Sequence, residues 1–209
     1  MTPGKIKIAV FGSFYRGYFV LDELLNGPLK DRFSIVGVAT DDVTQPFISS
    51  DVRVWQYPHE AHEETMVERL AHSYGLPVYK GRVKSDEFYQ MYEQQWAPDL
   101  CVSATYGQLF NARLFEQPKL GFFNVHPCID DAWPSKYVGP NPFQALMEDG
   151  KTYTMGALHR VDATFDTGEL MALSPRIAIP TGASVVDMHK ISSPVISRFV
   201  VQELIKLAQ

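Results

Sequence analysis

With two cysteines in 209 residues, Cys101 and Cys128, the chain cannot be a disulfide framework, and it is long enough to bury a core without one. A reducing compartment would keep both as thiols. Apolar runs such as residues 6–11 and 35–39 are strand-sized, far short of the roughly 20 residues that a membrane-spanning helix needs, so no membrane association is expected. The first residues lack the charged, apolar and small pattern of a secretory signal, and a cytoplasmic location is the expectation. Basic charge is also scarce. Nineteen Lys and Arg stand against 24 Asp and Glu, for a net charge of −5, and they are scattered, so no nucleic-acid partner is expected. Absent too is a Gly-x-Gly-x-x-Gly turn after the first strand-like run. Gly12-Ser13-Phe14-Tyr15-Arg16-Gly17 does not supply it, which argues against a dinucleotide-dependent dehydrogenase.

What is present is ordinary globular composition, 45% hydrophobic and 21% charged, with no repeat or linker, which predicts one domain over residues 1–209. Residues 5–11 alternate and then become wholly apolar, and residues 18–25 follow with helical spacing. Strand-like runs recur at 33–40, 99–104 and 121–125, separated by helical patterns at 60–74 and 85–96. Such alternation predicts an α/β, Rossmann-like fold, with a mainly parallel twisted sheet and helices on both faces. Residues 153–161 and 170–177 read as two strands able to pair antiparallel at one edge. A helix at 141–149 precedes them, and a last one, at 184–207, should break or kink around Ser192-Ser193-Pro194.

In such folds the site lies beyond the carboxyl ends of the strands. Four places qualify: Gly12-Ser13-Phe14, Tyr106-Gly107-Gln108, Asn124-Val125-His126-Pro127, and residues 162–167. Asn124 and His126 are two apart on an extended segment, so both side chains leave one face, and Pro127 should stop the strand. An amide beside an imidazole can stabilise an oxyanion, and a carboxylate such as Asp166 can orient the ring or hold it charged. That is equipment for acyl transfer to an amine, and no Ser or Cys is placed as a nucleophile. From spacing alone, Asn124 and His126 could equally do no more than satisfy backbone groups at a strand end. His126, Cys128 and Asp130 alternate as ligands can, but no second cluster follows at zinc spacing, and no metal is expected.

Asn124-Val125-His126-Pro127 followed by Asp166-Thr167-Gly168 resembles the paired Asn-x-His-Pro and Asp-x-Gly motifs of the folate-dependent formyltransferase family. The likeness extends to Tyr106-Gly107-Gln108-Leu109, to Val161-Asp162 and to the first turn. It implies a formyl group moved from 10-formyltetrahydrofolate to an amine by direct attack. Asn124 and His126 would stabilise the oxyanion, and Asp166 would complete the triad. The folate ring would lie against the backbone of Thr105, Tyr106, Gly107, Gln108 and Leu109 and the loop of Asp162 and Phe165.

Where the family usually continues Ser-Leu-Leu-Pro, this chain has a longer, acidic loop from Cys128 to Gly139. Asp130, Asp131, Trp133, Lys136 and Tyr137 there, with Ser13, Phe14 and Arg16 in the first turn, become the expected acceptor contacts. His159 and Arg160 are candidates for supporting the site. The expected acceptor is a small-molecule amine, a hydroxyornithine-like amino acid or a nucleotide-linked amino sugar, and the short C-terminal segment leans toward the former. The alternatives are a glycinamide ribonucleotide formyltransferase, although the bulky aromatic first turn departs from that group's polar one, and a non-catalytic folate- or nucleotide-binding module. A homodimer is left open.

Overall fold

The computed structural model describes residues 4–48, 53–128, 133–137, 141–164 and 166–207. Strand β1 (Ile6–Gly12) is exposed only at its start and then buried on both sides, as a central parallel strand must be. It pairs in parallel with β2 (Phe33–Ala39) on one side and β4 (Leu100–Ala104) on the other. Outside β2 lies β3 (Val78–Tyr79), two residues long and too short to show a periodic pattern. Outside β4 come β5 (Gly121–Cys128), parallel to it, then β6 (Tyr153–Arg160) and β7 (Leu170–Leu173), both antiparallel to their neighbours, while β8 (Ile177–Ala178) pairs with β6. The order β3-β2-β1-β4-β5-β6-β7 confirms the mainly parallel sheet with an antiparallel edge.

Two cores cover the sheet's faces. On one, Val20, Leu21 and Leu24 of α1 (Phe14–Asn26), Val67 and Ala71 of α2 (Ala61–Ser73), and Ile196, Val200 and Leu204 of α6 (Val185–Leu207) pack on Ile8, Val10 and Val102. On the other, Phe88 of α3 (Asp86–Met91) and Trp96 of the π-turn that extends it pack with α4 (Ala112–Phe115) on Phe11, Cys101 and Phe122. Each fully buried large side chain contributes roughly 1.5–3 kcal/mol, so a charge placed at Val200 would strip α6 from the sheet. A further short helix, α5 (Pro142–Glu148), lies beside the N-terminal end of α6.

Two prolines behave otherwise than their local chemistry suggests. Pro127 does not stop β5, which continues to Cys128. Its partner Gly156 turns both backbone groups to Ser174 on the far side, so the Pro127–Gly156 pair exchanges no hydrogen bonds. The pairing with β4 has ended at Val125, so the missing N–H leaves no ladder bond broken. Pro194 lies inside α6, which runs unbroken through it, held by buried residues on either side, Met188 and His189 before and Ile196 and Val200 after.

Because β1 sits between β2 and β4, crossovers leave it in opposite directions and a crevice opens at the carboxyl ends of β1 and β4. The strand-to-helix turn there is tight. A Cβ on Gly12 would lie 2.7 Å from the Gly17 Cα, and one on Gly17 would lie 2.5 Å from the Gly12 carbonyl carbon.

Candidate active site

That crevice is a cleft of about 530 Å³, within the range that takes a cofactor-sized ligand. Its walls come from two sides. Arg16 of α1, Pro142 of α5 and His189 of α6 line one side; Thr105 through Phe110 after β4, with Val161 and Asp162 after β6, line the other, and the Arg53 guanidinium lies beside Gly107 of that loop. Asn124, Val125, His126 and Pro127 at the end of β5 lie on the rim with Asp166, Thr167 and His159.

Asn124 and His126 share one side of β5 and meet Asp166, which the β6–β7 loop carries back across the antiparallel edge. The Asn124 amide donates to Asp166 Oδ1 at 3.0 Å, and His126 Nδ1 lies 3.1 Å from Asp166 Oδ2. His159, opposite Asn124 on β6, brings Nε2 to 3.3 Å from Asp166 Oδ1 and 3.2 Å from the Asn124 amide nitrogen. The remaining ring nitrogens face backbone carbonyls: His126 Nε2 lies 2.7 Å from Tyr137 O, and His159 Nδ1 lies 3.0 Å from Arg160 O. His126 therefore has an oxygen at each ring nitrogen, which fixes the plane and direction of the ring. Burial pushes the Asp166 carboxyl up, but the hydrogen bonds and charge of His126 and His159 outweigh it and hold the group well below the usual carboxylate range. The result is a fixed anion surrounded by donors, of which only Asn124 is half exposed to the cleft.

Backbone strain collects here as well. Among the described residues, five non-glycine positions have positive φ, and Arg53 (67°), Thr105 (58°) and Asp166 (51°) line the cleft while Phe14 (56°) sits directly behind Arg16. For a β-branched residue such as Thr105 this is costly, about 1–3 kcal/mol, and strain of this kind gathers where a loop is held for function. Asp41, just past β2 and not among the residues that the motifs single out, fastens the loop. Its fully buried carboxylate accepts from the Gly107 N–H at 3.0 Å and pairs with Arg53 at 3.3 Å. Burial raises its pKa against the pull of Arg53 and Gly107.

The structure sorts the expected contacts. Thr105, Tyr106, Gly107, Gln108, Leu109 and Asp162 all line the cleft, whereas Phe165 lies outside the described residues, as do Asp130 and Asp131. Gln108 spends its side chain internally, donating to Gly81 O and the Tyr106 hydroxyl and accepting from the Val83 N–H, so this loop offers the cleft its main chain and the rings of Tyr106 and Phe110. Among the described residues, Arg16 is the one expected acceptor contact that lines the cleft. Ser13 is buried and its hydroxyl accepts from the Asp41 N–H, tying the first turn to the end of β2. Phe14 packs in a small core with Trp55 and Val186. Trp133 donates to Gly168 O and lies tilted against His159 with centroids 4.9 Å apart; Lys136 is paired with Asp149 in solvent; Tyr137 touches the triad through its carbonyl alone. His159 and His189 belong to the wall, the first suspected from sequence only as a supporting residue and the second hidden among the core positions of α6. Among the described residues, no three His, Cys, Asp or Glu gather as a metal site.

Comparison with known proteins agrees with this architecture. The chain is 33% identical over 117 residues to the methionyl-tRNA formyltransferase of Kosmotoga olearia, covering 55% of this chain and 35% of that protein. It therefore spans about a third of the length of that curated relative. Solved structures share the fold. A phosphoribosylglycinamide formyltransferase from Anaplasma phagocytophilum superposes with a TM-score of 0.70 at 14% identity, over 98% of this chain and 87% of the other. A formyltetrahydrofolate deformylase from Pseudomonas syringae pv. tomato superposes with a TM-score of 0.66 at 15% identity, over 97% and 62%. Residues 7–192 match the formyl transferase family, from the first strand through the Asn124–His126–Asp166 cluster and into the last helix, and the chain belongs to that family.

Proposed function

We propose that this chain moves a formyl group from 10-formyltetrahydrofolate to the amine of a small-molecule acceptor by direct attack. The observation that carries the reading is the convergence of Asn124, His126 and His159 on the Asp166 carboxylate, within 3.0–3.3 Å, beside a cleft of about 530 Å³. The wall after β4 fits a folate donor, since it presents backbone groups and aromatic faces rather than free charged side chains.

The donor supplies the formyl carbon, and the rest of the chemistry falls to the chain. Asn124 carries two amide hydrogens, one of them donated to Asp166; turning the other toward the formyl oxygen stabilises the charge that develops as the amine adds. Asp166 stays ionised and fixes the orientation of the two imidazoles, so His126 keeps its place against the Tyr137 carbonyl. The proton lost by the amine passes to the departing folate nitrogen through a water that Asp166 holds. Attack needs no protein nucleophile: Cys101 is buried, and burial pushes its thiol up to about 12 against the opposing hydrogen bonds of Tyr92 and the Ala9 backbone. A hydroxyornithine-like amino acid or a nucleotide-linked amino sugar suits a cleft of this volume.

The test is release of tetrahydrofolate from 10-formyltetrahydrofolate across a panel of amines that includes glycinamide ribonucleotide, with Asn124→Ala and Asp166→Asn as controls. Amine-driven release lost in both variants supports the reading. Release into water without any amine makes the chain a hydrolase, and binding without turnover makes it a folate-binding module.

A further inference from the structure

Arg16 heads the fully buried side chains by size, with 2% of its surface exposed. No carboxylate among the described residues lies within ion-pairing distance of it. Its guanidinium makes one long hydrogen bond, Nη2 to Ser192 Oγ at 3.4 Å, and lies over the Phe143 ring at 5.4 Å, while Nε has no partner. Burial alone lowers its pKa to about 10, so it remains charged at neutral pH. Three residues before Ser192 on α6 sits His189, also buried, its Nδ1 unpartnered and its ring flanked edge-on by Phe14 and Phe143. Burial, then the charges of Arg16 and Arg53, hold this imidazole well below its ordinary pKa.

An uncompensated buried charge and orphaned donors are both expensive, and proteins keep such arrangements where something else completes them. Arg16 and His189 both line the cleft. The two carboxylates on the cleft wall are committed elsewhere, Asp162 to Thr164 and Thr167 and Asp166 to the imidazoles. Position separates this pair from the folate wall. Arg16 and His189 come from α1 and α6, whose core covers one face of the sheet, whereas Tyr106 and Phe110 pack on the other, with the triad at the strand ends between them.

We propose that Arg16 and His189 form an anion subsite for the acceptor: a carboxylate or phosphate on the amine-bearing molecule docks against the guanidinium and imidazole, and its amine reaches from there toward Asn124 and Asp166. A planar guanidinium with free N–H groups suits either anion. The proposal rests on the formyl-transfer reading only for what carries the anion, since the subsite itself can be tested without turnover.

The first arm titrates the whole chain with sodium phosphate or sodium acetate at constant ionic strength balanced by chloride, following the melting temperature and the arginine Nε–H resonance. One of the two anions raises the melting temperature saturably, which names the group; Arg16→Met, folded by circular dichroism, loses the response, and His189→Gln weakens anion binding about tenfold, as expected for one lost hydrogen bond to a charged group. Equal responses in wild type and both variants, or none beyond chloride, overturn the subsite. The His189 variant decides the matter if the Arg16 variant does not fold. The second arm compares amines with and without the acidic group, and donors with and without the glutamate tail. Wild type prefers the acidic amine by on the order of a hundredfold in kcat/KM, and Arg16→Met erases that preference while leaving the KM for the donor unchanged. If the variant instead loses discrimination for the donor's tail, the anion belongs to the folate, and the acceptor assignment is overturned while formyl transfer stands.

Discussion

His126 and Asp166 meet at 3.1 Å, Nδ1 to Oδ2, while the opposite nitrogen of the same ring lies 2.7 Å from the Tyr137 carbonyl. The imidazole is clamped between a charged and a neutral acceptor, so its orientation does not depend on a bound ligand. Asp166→Asn replaces the charged acceptor with a neutral amide. Turnover should then fall with folate binding intact, and Asn124→Ala, which removes the amide, should cost on the order of a hundredfold or more in kcat. Steady-state kinetics beside a folate-binding isotherm checks both.

The same pair has an acid signature. The Asp166 carboxyl is depressed in the folded state, so its stabilisation is fully present above the unfolded carboxylate value of about 4 and is lost as pH falls through the lower folded value. Urea unfolding of wild type and Asp166→Asn should differ near neutrality, and the gap should close only below about pH 4.

His189 acts in the opposite range. Its folded pKa lies well below the unfolded value of about 6.5, so the unfolded chain binds the extra proton and stability falls as pH drops below about 6.5. The slope from one such group is at most about 1.4 kcal/mol per pH unit. Melting curves from pH 7 to 5 should show it in wild type and lose it in His189→Gln.

Gly168 is the glycine of the Asp-x-Gly motif, and a Cβ there would lie 1.8 Å from the Arg160 carbonyl oxygen. That carbonyl faces His159 Nδ1. Gly168→Ala should therefore displace His159 and lower kcat, with a stability loss of about 1–3 kcal/mol from overpacking. The two effects separate in kinetics and urea titration.

Thr105 holds φ at 58° in the loop after β4. Glycine accepts that conformation freely, so Thr105→Gly should leave stability within about 1 kcal/mol of wild type, the relieved strain offsetting lost chain entropy. If the loop presents its backbone to the folate, affinity for the donor should survive as well; a large loss of affinity would assign the recognition to the threonine side chain.

Much of the fold was legible because burial writes itself into periodicity. The runs that became β1, β2 and β4 are mostly apolar since most of their positions are covered on both faces, and α2 carries its buried Val67 and Ala71 at helical spacing. Edge strand β3 left no trace, being two residues long, and Pro127 and Pro194 were read as breaks because whether a missing N–H matters depends on where the neighbouring strand ends or how a helix is packed. The triad was legible through its motifs, as Asn124 and His126 lie two apart on a strand.

The sequence by itself determined the alternating strands and helices, the strand ends that carry polar groups and the family to which the chain belongs. It took the packing of distant elements to show that Ser13, Phe14, Trp133, Lys136 and Tyr137 are absent from the residues lining the cleft, that Asp41 fastens the loop after β4, and that Arg16 and His189 share the cleft with no carboxylate in ion-pairing distance of Arg16 among the described residues. These are relations between residues far apart in the chain. Periodicity reports that a side chain is buried, but whether a buried charge has a partner depends on which elements pack against it.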